Sequence, residues 1–133
     1  MKRLFPTICV CSYLIAAHSF AGSATWKLDP ADSDWGNSAN WEEGTFPNGP
    51  NDIATFNASN QTAVSVSIFG TEVNQLIFNP GASVFSITIT EGGSQNGDLV
   101  ISGTGITNNS GKTQNFVVDD QFFYLNHVQQ PLH

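Results

Sequence analysis

Asp32, Asp34 and Glu43 fall at the first, third and twelfth positions of a hypothetical calcium loop. Such a loop draws oxygen ligands from those positions. The pattern breaks in its middle, where Gly36 holds the fifth position and Asn37 the sixth, and no helix is expected on either side. These three carboxylates are the metal candidates of the chain, and calcium is the cofactor they would suit. The plainer reading, an acidic surface loop in which Asp29 or Asp34 holds a turn, is favoured, so no metal or cofactor is expected.

Trp26, Trp35 and Trp41 offer a second chemistry. Aromatic faces stack on pyranose rings, which makes Trp35 and Trp41 candidate glycan contacts. Large indoles also bury much apolar area and find partners for their N–H groups. The sequence favours that second role, a hydrophobic plug joined by Phe46 and Phe56.

Catalytic carboxylates for sugar cleavage must face each other across a cleft. Glu42 and Glu43, like Asp119 and Asp120, are sequence neighbours, so in a strand each pair splits to opposite faces. Nothing in the spacing gathers Glu72, Glu91 or Asp98. Lys112 is the one basic residue in the body that could take a proton in lyase chemistry, and His127 and His133 lie in the terminal segment. Asp52 suits a hydrogen bond within its own turn better than catalysis. No catalytic residue is nominated, and the chain reads as a non-enzyme; polysaccharide lyase or glycosidase activity stays open as the alternative.

The segments that must position these residues begin after an export signal. Lys2 and Arg3 precede an apolar run from Leu4 to Ala17, and small residues place cleavage after Ala21 or Ala24. The run is too short and interrupted for a membrane span, which needs about 20 apolar residues. Residues 1–24 are therefore expected to be a cleaved secretion signal, with no membrane span in the mature chain. Cys9 and Cys11 leave with it, so no disulfide or thiolate site is expected. Lys27 and Lys112 then face all eleven carboxylates, a net charge of −9. Such a surface repels nucleic acid and anionic lipid.

Three zones follow: a Trp-rich cap segment at 25–57, a strand-rich body at 58–119 and a divergent tail at 120–133. In the body, Val64, Val66 and Ile68 alternate with serines, and Phe85, Ile87 and Ile89 alternate with Ser and Thr. Leu99 with Ile101, and Phe116 with Val118, repeat the pattern. Period two means strands with one dry face. Turn chemistry separates them: Phe69-Gly70, Asn79-Pro80-Gly81, Glu91-Gly92-Gly93, Asn96-Gly97 and Asn108 to Gly111. Little helix is expected. An all-β fold follows, and both a β-solenoid and an antiparallel β-sandwich fit the length. Wet faces of Ser, Thr and Asn favour the solenoid, since small polar side chains can form ladders on copies of themselves. Gly103-Thr104-Gly105 and Asn108 to Gly111 then read as corners.

The segment from Trp35 to Asn57, WGNSANWEEGTFPNGPNDIATFN, resembles the opening of exported bacterial proteins that carry autotransporter-associated β-strand repeats. The matching positions are Trp35, Asn40-Trp41, Pro47, Asp52, Ala54 and Phe56. Later stretches are similar to the first rungs of that group at Leu76, Phe78, Leu99, Gly103, Gly105, Ile106, Asn109 to Gly111, Gln114 and Phe116. The resemblance covers most of residues 26–119. It implies a short right-handed parallel β-helix with a Trp-rich N-terminal cap, in a secreted or cell-surface setting, and carries over no active site.

Proteins of that group usually run on for many more rungs, so a truncated passenger-type domain is expected. Its function is expected to be structural or adhesin-like, with a polysaccharide or cell-surface partner, and with self-association through an open solenoid end. The alternative function is a carbohydrate-binding or carbohydrate-active β-helix module.

Overall fold

The computed structural model describes residues 22–92, 95–96 and 98–120. The expected signal, apart from residues 22–24, and the expected tail beyond Asp120 lie outside the described residues. The described chain is all-β, with a single three-residue 3-10 turn at Ser38–Asn40.

The strands are β1 (Ala24–Thr25), β2 (Gly49–Phe56), β3 (Ala63–Val66), β4 (Thr71–Phe78), β5 (Ser86–Gly92), β6 (Gln95–Asn96), β7 (Leu99–Asn108) and β8 (Asn115–Asp120). They form two sheets. One runs β1-β2-β4-β7, with every neighbour parallel. In the other, β5 lies between β3 and β8, again in parallel, and β6 makes a short antiparallel hairpin with the end of β5. The chain alternates between sheets: β2 leads to β3, β4 to β5, and β7 to β8.

Parallel register turns the alternating sequence into columns. Ala54, Leu76 and Ile106 stand in one column of the first sheet, and Phe56, Phe78 and Asn108 in another. Val64, Ile87 and Phe116, then Val66, Ile89 and Val118, form the columns of the second. The core gathers residues from both sheets, with Phe85 and Ala82 from the loop before β5. Each side chain fully buried there is worth about 1.5–3 kcal/mol.

Loop residues between the strands make polar contacts outside this core. Asn79 donates from Nδ2 to Oδ1 of Asn57 at 3.0 Å, one tier below. The Ser83 hydroxyl donates to the carbonyl of Ser59, and Gln114 Nε2 donates to the carbonyl of Ser83. Between β4 and β5, Asn79-Pro80-Gly81 makes the expected turn: the Ala82 amide donates to the Asn79 carbonyl at 3.0 Å, and Gly81 takes φ 82°. Proline followed by a positive-φ glycine is the type II pattern.

Two sequence expectations change. β2 lies inside the segment expected to act only as a cap, yet it is the first full strand of the sheet. Gly103 to Gly105 are not a corner: they lie within β7, where the register against β4 shifts. β2 makes a similar excursion on the other side of β4. Asn74 sits between the two, donating to the Pro50 carbonyl at 3.3 Å and accepting from the Thr104 hydroxyl at 3.1 Å. A Cβ on Gly103 would stand 2.4 Å from the Asn74 amide, so glycine is needed there for close approach. The expected corner at Asn108 to Gly111 does join β7 to β8.

Candidate functional site

The segment before β2 folds over one end of both sheets. β1 pairs with β2, and the Trp26 amide continues that edge by donating to the Thr55 carbonyl at 2.9 Å. On the second sheet, Asp34 bridges Ser65 in parallel, with the Trp35 amide donating to Ser65 and the Ser65 amide donating to Ser33. Part of each sheet edge at this end is thereby paired.

Beneath them the three indoles pack into one another. Trp26 and Trp41 meet edge-on at 5.1 Å, and Trp35 and Trp41 do so at 5.0 Å. Trp41 also meets Phe56 at 5.9 Å, and Phe56 stacks on Phe78 at 5.1 Å. These separations and tilts suit the ring quadrupole. Every indole N–H donates to a carbonyl: Trp26 to Gln61 at 3.0 Å, Trp35 to Pro47 at 2.9 Å and Trp41 to Trp35 at 2.8 Å. Phe56 is buried with them, and Phe46 packs partly buried against the same core.

Trp35 and Trp41, the candidate glycan contacts, lie inside this packing. Both are 0% exposed. A pyranose needs an open ring face, and here both faces are covered by protein.

The acidic loop is held by its own donors. Asp32 Oδ1 accepts from Asn40 Nδ2 at 2.6 Å and from the Asp34 amide at 2.9 Å, while Oδ2 accepts from Asn37 Nδ2 at 2.7 Å. The Asn40 amide holds the Asp32 carboxyl below its ordinary range, helped by the Asp34 backbone N–H and by Asn37. Asp34 accepts from the Gly36 amide at 3.0 Å, an Asx-type turn that fits the plainer reading of this loop.

Glu43 does not join the other two candidates. Its carboxylate binds Thr25, accepting from the backbone amide at 2.7 Å and from the hydroxyl at 3.1 Å. Asp32 and Asp34 are thus brought together and Glu43 is set on β1. Among the described residues no group of three or more His, Cys, Asp or Glu side chains is placed to hold a metal ion. Asp29 accepts from the Asn60 side chain. Asp52 accepts from the Asn48 amide at 3.0 Å, within its own turn. The Lys112 ammonium donates to the Ala82 carbonyl at 3.0 Å, tying the β7–β8 corner to the tier below.

The residue that organises this loop was not singled out by its chemistry. Asn40 is fully buried. Its Nδ2 donates to Asp32 and to the Asp34 carbonyl, and its Oδ1 accepts from the Asp32 amide at 3.1 Å. The signal in the sequence was the Asn40-Trp41 pair, at which the 3-10 turn Ser38–Asn40 ends. Gln114 plays a similar part at the other end, accepting from the Phe85 amide at 2.7 Å. No family model matches this chain, and no curated protein or solved structure matches it either.

Proposed function

We propose that this chain is an exported, non-enzymatic structural or adhesin-like protein of the bacterial cell surface. In this reading its two parallel sheets are sides of a right-handed parallel β-helix. The resemblance to proteins with autotransporter-associated β-strand repeats supports it, and so does the alternation of successive strands between parallel sheets.

One observation carries the reading above the rest: all three indoles, the side chains best suited to hold a sugar, are buried under the N-terminal end. They serve to close a stack, which is what an N-terminal cap must do. Export fits the same geometry. Ala24 is buried and pairs with Ala54, and the Ser23 hydroxyl accepts from the Ile53 amide at 2.8 Å. Signal cleavage after Ala21 keeps both; cleavage after Ala24 removes half of β1.

The test combines localisation with a polysaccharide panel. The reading expects export with Gly22 as the new N-terminus, no release of sugar fragments, and unchanged tryptophan emission on glycan titration. Lyase or hydrolase products, or a saturable emission change with one glycan, would instead establish the carbohydrate-module alternative.

A further inference from the structure

We draw no further inference here: the strongest candidate, the apolar surface patch along the outer edge of β7 and β8 where Ile106, Phe116 and Val118 stand partly exposed, carries none because nothing in the structure shows what covers it.

Discussion

At the N-terminal end of the molecule, part of each sheet edge is paired, three indoles fill the space beneath them, and each indole N–H has a carbonyl. At the opposite end of the described residues the same columns of side chains continue into β7 and β8, where Ile106, Phe116 and Val118 stand partly in water. The register is alike at both ends, so strand pairing alone does not bury a core. Closure also needs a segment that crosses the end of the stack, and residues 26–48 supply it at one end. The energetic consequence is a gradient. A buried side chain in the segment before β2, or in β2 and β4, contributes its full burial, while a half-exposed one in β7 or β8 contributes a fraction.

Substitutions at matched positions test that gradient. Trp41→Ala should be the most damaging, costing about 3–5 kcal/mol and releasing Trp26 and Trp35 from their packing; denaturant titration followed by circular dichroism measures it. Phe116→Ala, at the open end and in dilute solution, should cost about 1–2 kcal/mol by the same method, because much of the ring is already solvated. Equal losses from the two would break the comparison.

The polar supports should rank next. Asn40→Ala leaves the Asp34 carbonyl and the Asp32 amide without their partner and should cost about 1–3 kcal/mol. Gly103→Ala, pressed against Asn74 in the open tier, should cost about 1–3 kcal/mol and disturb β7 without altering tryptophan emission. The smallest effect is a pH dependence. The folded-state pKa of Asp32 is lowered, so its contribution is complete above the ordinary carboxylate value of about 4 and is lost as pH falls through the lower folded value. Acid titration of Asp32→Asn should lack that component. An unchanged acid transition would mean that the loop does not hold the cap.

The strands were legible because their side chains alternate. Val64 and Val66 point inward and are buried, and so is Ile87. The turn at Asn79 to Gly81 was legible because proline and glycine fix its dihedral angles. The plug role of Trp26, Trp35 and Trp41 was legible from their size and their clustering before the first tiers.

What escaped the sequence depends on partners distant along the chain. β7 was expected as a short strand ending near Ile101, and Gly103 to Gly105 as a corner, because glycines read locally as a break. Only Asn74, on the neighbouring strand, explains why they sit inside a strand. β2 was hidden because Gly49-Pro50-Asn51-Asp52 reads as a loop, and β2 departs from regular register there. The separation of Glu43 from Asp32 and Asp34 was equally invisible, because Thr25 claims that carboxylate from eighteen residues away. Asn40 looked like an ordinary polar residue; its burial depends on donors and acceptors that only the folded loop assembles.

Acrylamide quenching of intrinsic fluorescence most directly tests the central claim that indoles seal one end of a two-sheet core. All three tryptophans lie in the cap, so the signal reports on that end alone. The account predicts blue-shifted emission that resists quenching in the native state and becomes fully quenchable in the same denaturant transition that removes the β-sheet signal. Native emission quenched as readily as that of the unfolded chain would contradict it.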